Sequence, residues 1–247
     1  HFQPIFSAHD GHVVAYEALM RPQLPTLRSP LTVMQLASEM GRVYDIEKLT
    51  LFRASECYEE LEAAGKLDAD ALIFVNSIAS VSLSDEDWAS YCEAHSAIIP
   101  KLVVEITEEE EMNERELERK RNVPGATGVF ALDDYGSGYS NGNSLLTVAP
   151  KYVKVDIAII RGIDTDADKQ QFLMTLIDYA HPRGVQVLAE GVETLSELRK
   201  VLEMGVDLLQ GYCLARPAAE PGAIDEKAAE VIAEMERQKA EREEAGS

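Results

Sequence analysis

At 247 residues with 46% hydrophobic side chains, the chain is long enough to bury one full α/β core, and no apolar stretch reaches the ~18 residues a membrane span needs. A formal net charge of −21 excludes a broad basic face for long nucleic acid, but not a small phosphate ester approached through bound cations. Cys57, Cys92 and Cys213 have no CxxC spacing, and the five histidines form no HxH or HExxH pair, which excludes a disulfide frame and a zinc site by pattern.

The chain opens within a strand, His1-Phe2-Gln3-Pro4, and Val13–Tyr16 then runs to Glu17. Leu31–Met40 has helical period, with Leu31, Met34, Leu36, Ala37 and Met40 on one broad face and Ser29 and Thr32 as caps. Ile46–Ala64 is a longer amphipathic helix with Leu49, Phe52, Cys57 and Leu61 among its apolar positions. Ala71–Val75 is an apolar run before Asn76, and Ser84–His95 opens like a capping box. Leu102–Val104 precedes Glu105, and Val129–Leu132 precedes Asp133 and Asp134. Tyr152–Val155 carries Lys154 and ends at Asp156; Asp168–His181 is helical and stops at Pro182. Val185–Ala189 precedes Glu190, Thr194–Met204 is a helix closed by Gly205, and Val206–Leu209 precedes Gln210. Ala228–Glu244 alternates Glu with Lys and Arg and reads as a solvated helix.

Strands alternating with helices require crossovers and a parallel sheet, open or closed. An open sheet gathers ligand residues from two or three strands at a switch point. Here nearly every strand ends in a polar residue, which predicts a closed barrel with a metal site on its C-terminal rim.

Glu17, Asn76, Glu105, Asp133 and Asp134 are hard oxygen donors, a set that selects Mg²⁺, Mn²⁺ or Ca²⁺ over zinc. Converging without cations, such carboxylates would repel one another and raise each other's pKa values. In the adjacent Asp133-Asp134 pair, the first side chain points inward and the second leans over the rim, so that one aspartate bridges two metals. Lys154, within an apolar strand, must reach a carboxylate or a ligand: an ion pair with Asp156 or a rim acid, or a contact to the attacking water or a phosphate oxygen. Glu190 points into the site, and Glu193 falls in the first turn of the following helix. The stretch Asp134–Asn143, rich in glycine and small polar residues, reads as a lid.

These residues resemble the EAL family of cyclic di-GMP phosphodiesterases. The naming triplet is Glu17-Ala18-Leu19, followed by Met20-Arg21, and the other motifs follow in order: Val-Asn-Ser, Glu-Ile-Thr-Glu, Asp-Asp-Tyr-Gly-Ser-Gly-Tyr-Ser, Lys-Val-Asp, Glu-Gly-Val-Glu and Gln-Gly-Tyr. The resemblance implies a modified TIM-type (β/α)8 barrel, an α/β fold with one early strand antiparallel to the rest. Residues 1–220 would form that barrel, and residues 221–247 a C-terminal acidic helix and tail, a linker to another module. It also implies that Glu17, Asn76, Glu105 and Asp133 hold one metal, and that Asp133 and Asp134, with Glu190 in or beside the shell, hold a second. Lys154 would contact the nucleophilic water, and Gln210 would help fix it. Glu108 would anchor the lid. Arg21 would clamp a substrate phosphate, with Gln3 and Leu19 also at the substrate. The implied reaction opens cyclic di-GMP to linear pGpG with Mg²⁺ or Mn²⁺, Ca²⁺ being inhibitory.

Tyr135 and Ser137 replace the family's commoner Phe and Thr, and Asn141-Gly142-Asn143 departs from a Ser-Leu-Ser-like stretch, which bears on lid stiffness. The competing readings are a receptor that holds cyclic di-GMP or a protein partner without turnover, and a barrel hydrolase with another substrate. Lacking an initiator Met, the chain reads as a cytoplasmic domain cut from a longer protein. Unseen sensory or regulatory parts, a membrane anchor among them, would set its address, while the domain itself contacts no membrane. A homodimer pairing beyond the lid is expected from the resemblance.

Overall fold

The computed structural model describes residues 1–23, 29–107, 114–122, 127–137 and 143–246. Eight strands close into a barrel in sequence order: β1 (Phe2–Ser7), β2 (Val13–Ala18), β3 (Leu72–Asn76), β4 (Leu102–Thr107), β5 (Phe130–Tyr135), β6 (Tyr152–Val155), β7 (Gln186–Ala189) and β8 (Leu208–Leu209). β1 is antiparallel to both β2 and β8, and every other pairing is parallel. Around them lie α1 (Pro30–Glu39), α2 (Val43–Ala63), α3 (Asp85–Ala94), α4 (Glu114–Asn122), α5 (Asn143–Val148), α6 (Ile157–Ile160), α7 (Ala167–Ala180), α8 (Leu195–Met204) and α9 (Glu226–Gly246). No described helix is long and apolar enough to cross a membrane.

The barrel is plugged by one layer of side chains, one from each strand: Ile5, Ala15, Phe74, Val103, Ala131, Tyr152, Leu188 and Leu208. All are buried, so the interior is a packed core and not a channel. Two larger apolar clusters lie outside the sheet, one beneath α7, α8 and α9, the other beneath α2 and α3.

Several helices differ from the periodicity. In α1 only Ala37 is buried, while Leu31 and Met40 are 67% and 63% exposed; the apolar stripe there does not face the core. Ser29 precedes α1 without a capping hydrogen bond from its side chain. Leu49, expected on the buried face of α2, is 55% exposed, and Glu47 and Ser55 are buried instead. Ser84 does cap α3, accepting from the Asp87 amide, but Asp87 turns its own carboxylate to Tyr44 and Lys48, so the box is half made. His95 caps the C-terminal end of α3, with its ring buried against Phe52 and Tyr91 and bonded to Glu59. The C-terminal helix is not solvated all round: Ala228, Val231 and Ile232 are buried, and Glu234 pairs with Arg199 of α8.

Candidate metal centre

Successive strand residues face opposite sides of a sheet, so residues two apart share a face. Two residues above each member of the plug layer stand Glu17, Asn76, Glu105, Asp133, Lys154, Glu190 and Gln210. β1 runs the other way, so its member of the same ring lies two residues before Ile5: Gln3, in register with Glu17. Barrel closure therefore gathers eight polar side chains, each delivered by a different strand or the residue just past it, into one layer under the C-terminal rim.

Asp134 breaks the alternation and would face outward in a regular strand. The β5–β6 register shifts between Leu132 and Tyr135, and Asp134 has φ of +54°, a left-handed conformation that Asp tolerates better than most. That bulge turns Asp134 back over the rim.

Two sets of carboxylates result, each with one oxygen per residue within 4.8 Å of the others: Glu17, Glu105 and Asp133, and Asp133, Asp134 and Glu190. Asp133 belongs to both. Glu190 is followed by Gly191 at φ +63°, where an added Cβ would lie 2.4 Å from Cγ1 of Ile157. Only glycine lets the chain pass α6 that closely after delivering the carboxylate.

Lys154, 1% exposed, places its ammonium among four of these acids: Glu105 at 2.5 Å, Asp133 and Glu190 at 2.9 Å, and Glu17 at 3.5 Å. It does not pair with Asp156, whose carboxylate caps α6 through the Ala158 amide. Burial opposes the charge on Lys154, but Asp133, Glu105 and the other acids outweigh it and hold the ammonium well above its ordinary pKa. Burial lifts Glu105 well above the usual carboxylate range; Lys154 pulls it down while Glu17 and Asp133 push it further up. Glu190 is raised in the same way, first by burial and then by Asp133 and Glu17, against Lys154. Gln210 Nε2 donates to Glu17 Oε2 at 2.7 Å, and Asn76 Nδ2 donates to Glu105 Oε2 at 2.9 Å. Glu105 Oε1, fully buried, has the ionic contact to Lys154 but no aligned hydrogen bond.

All-oxygen donors and two triads sharing one carboxylate fit hard divalent cations. Lys154 is the cage's internal countercharge.

A cleft of about 250 Å³ opens above the cage, lined among others by Gln3, Glu17, Asp134, Glu190, Gln210 and Tyr212. The Arg216 guanidinium lies 4.4 Å from the centre of the Tyr212 ring, a pairing at the mouth that the pattern of strand ends did not point to. Gln3 donates to the Ala215 carbonyl. Leu19 is half-buried just past β2, and Arg21 is exposed outside the cage, bonded to the Met20 carbonyl. Glu193 stands ahead of α8 and not in its first turn; it pairs with Arg161, while Thr194 and Glu197 form a reciprocal capping box. Glu108 and residues 138–142 of the expected lid lie outside the described residues.

The sequence model of the EAL domain matches residues 1–217. The chain belongs to the EAL domain family. A relative in Escherichia coli K12, the probable cyclic di-GMP phosphodiesterase PdeG, is 26% identical over 223 residues, 87% of this chain and 44% of its own length. The cyclic di-GMP phosphodiesterase NbdA of Pseudomonas aeruginosa is 31% identical over 227 residues, 88% of this chain and 28% of its own length. This EAL domain thus spans less than half of either relative. Klebsiella pneumoniae BlrP1 superposes with TM-scores of 0.76 in its calcium/cy-diGMP complex and 0.75 in its manganese/cy-diGMP complex. Identity is 26% and 27%, over 90% of this chain and 56% and 57% of that one.

Proposed function

We propose that this EAL domain is a cyclic di-GMP phosphodiesterase that hydrolyses one of the two 3′–5′ phosphodiester bonds and releases linear pGpG. The observation that carries the reading is the membership of Asp133 in two carboxylate triads, the arrangement a metal pair with a shared bridging ligand requires. The names of the two relatives, and the calcium and manganese complexes of BlrP1 with the cyclic dinucleotide, support the same substrate and ion class.

Glu17, Asn76, Glu105 and Asp133 would hold one cation; Asp133 and Asp134, with Glu190 in or beside the shell, would hold the other. Mg²⁺ or Mn²⁺ there supplies a water of lowered pKa, a polarised phosphoryl group and charge stabilisation at the leaving 3′-oxygen. Ca²⁺, which takes longer and looser oxygen shells than Mg²⁺, acts as an inhibitor in this reading. Gln210, donating to Glu17, fixes which oxygen of that carboxylate faces the site. Lys154 keeps its proton and orients the attacking water by donating to it. Arg21 clamps a phosphate at the mouth, Gln3 and Leu19 contact the substrate beside it, and Glu108 anchors the lid. The water oxygen bonds to phosphorus as its proton passes to solvent, the P–O3′ bond breaks, and the departing oxygen takes a proton from solvent.

The reading extends to a cytoplasmic domain that touches no membrane itself, governed by a regulatory module elsewhere in the parent protein. It includes a homodimer formed beyond the lid, where Leu146 is 68% exposed at a groove of about 510 Å³ lined also by Tyr135, Leu145, Phe172 and Leu176. Light scattering at twice the 27.2 kDa chain mass supports that dimer; a monomer at micromolar concentration removes it.

Chromatography of cyclic di-GMP incubated with the folded domain tests the activity. The expected product is pGpG, formed with Mg²⁺ or Mn²⁺ and suppressed by Ca²⁺. Intact dinucleotide after prolonged incubation with metal overturns the reading, and retention without turnover favours the receptor.

A further inference from the structure

Among the described residues, a buried ion pair lies outside the cage. Glu47 of α2 and Lys120 of α4 have side chains only 9% and 8% exposed, with Lys120 Nζ 2.6 Å from Glu47 Oε1. Lys120 also donates to Ser77 Oγ at 2.6 Å, and Ser77 Oγ donates to Glu47 Oε1 at 2.5 Å. The second oxygen, Glu47 Oε2, accepts from the Ile78 amide at 2.8 Å. Both oxygens of Glu47 are therefore committed to the two residues that follow Asn76.

Taking two charges out of water is costly, and replacing such a pair by apolar groups is often neutral or stabilising, so stability alone is a weak reason for it. What the pair grips is more informative. It holds, from outside the barrel, the turn by which the chain leaves β3. From within, Glu105 holds the same turn: it accepts from Asn76 Nδ2, and its carbonyl accepts from the Ser77 amide at 2.9 Å. With Nδ2 engaged, Oδ1 is the remaining ligand atom of that amide. A cavity of about 60 Å³ lies against Glu47, Asn76, Ser77 and Lys120. Polar contacts, more than close packing, thus fix the turn.

We propose that Glu47 and Lys120 are positioning residues for the metal site: their buried pair fixes the Asn76–Ile78 turn, presenting the Asn76 amide to the cation and tying that ligand to α4. The proposal rests on the reading of Asn76 as a metal ligand. Neither residue touches substrate or reacting atoms; both act through Asn76.

The test is Mn²⁺ titration of the full chain, with free Mn²⁺ read by electron paramagnetic resonance, on Glu47→Gln, Lys120→Met, Lys120→Arg, Asn76→Ala and the double variant Glu47→Gln/Asn76→Ala. Thermal midpoints are recorded alongside, with Val231→Ala on the distant α9 as a control for loss of stability alone. Removing an outer partner of a metal ligand typically weakens binding about 10–100-fold, and Glu47→Gln and Lys120→Met are expected in that range. Lys120→Arg, which keeps the charge, retains most of the affinity. In the Asn76→Ala background Glu47→Gln adds almost nothing, because its effect passes through the missing amide. If Glu47→Gln does not fold, Lys120→Met and its Arg counterpart carry the comparison. Unchanged affinity, full additivity with Asn76→Ala, or an equal loss in Val231→Ala overturns the proposal while leaving the metal site intact. Failure of the parent chain to bind Mn²⁺ defeats the metal-site reading and this proposal with it, whereas a harmless Asn76→Ala removes Asn76 from the ligands and overturns this proposal alone.

Discussion

Replacing Lys154 by Met removes the ammonium that lies among four carboxylates while keeping an unbranched side chain in a 1% exposed position. Glu105, whose side chain has no exposure, then loses its 2.5 Å partner and has no water to replace it. Breaking a buried pair by removing one member costs about 3–5 kcal/mol. For a chain of this size a destabilisation of 1 kcal/mol lowers the midpoint by about 2–4 °C, so the metal-free variant should melt about 6–20 °C below the parent. Divalent cations should restore much of that loss, since a ligand at a hundred times its Kd adds about 2.7 kcal/mol. The Mn²⁺-induced rise in midpoint should therefore be larger in Lys154→Met than in the parent, although the variant turns over no substrate. Differential scanning fluorimetry with EDTA or Mn²⁺ reads both quantities. A metal-free midpoint equal to the parent's would refute Lys154 as the internal countercharge, and normal turnover would remove it from the mechanism.

Asp133→Asn should have the opposite effect on the metal-free fold: with one repelling carboxylate gone, the EDTA midpoint stays equal or rises, while the Mn²⁺-induced shift and pGpG formation disappear; a collapsed fold would mean a structural role for Asp133. Gly191→Ala should lower the midpoint and turnover together, because its Cβ would meet Ile157 at a left-handed φ and displace Glu190; unchanged turnover would show that the turn does not position that acid. Burial works to raise the Glu197 carboxyl, but backbone amides of Gly162, Glu193 and Thr194 prevail and hold it below its ordinary 4.5. A depressed folded pKa adds stability above pH 4.5 that is lost as pH falls through the folded value. Glu197→Gln should therefore cost about 1 kcal/mol at pH 7, with the difference from the parent shrinking in acid; a gap that does not change with pH contradicts this.

The strand ends were legible because a barrel strand buried on both faces reads as an apolar run, and the polar residue after it stands out. Glu17, Asn76, Glu105, Asp133, Glu190 and Gln210 all appeared that way, and Lys154 appeared as a charge inside such a run. The direction of β1 was not legible from pattern, since period two is the same either way along a strand; the family resemblance supplied it. The bulge at Asp134 left no signal beyond two adjacent aspartates. Glu47 and Lys120 were hidden for a physical reason: a charged residue on a helix reads as solvent-facing, and α4, Glu-Arg-Glu-Leu-Glu-Arg-Lys-Arg-Asn, has a single apolar position with which to show a buried face. The converse error came in α1 and at Leu49, where helical period was present and the apolar stripe points away from the core.

The most direct test of the cage is anomalous diffraction from crystals of the folded chain soaked in MnCl₂. The account predicts two peaks about 3.5–4 Å apart, joined by Asp133, one reached by Glu17, Asn76 and Glu105 and the other by Asp134. A cage without anomalous signal, or a lone ion that Asp133 does not touch, would contradict it.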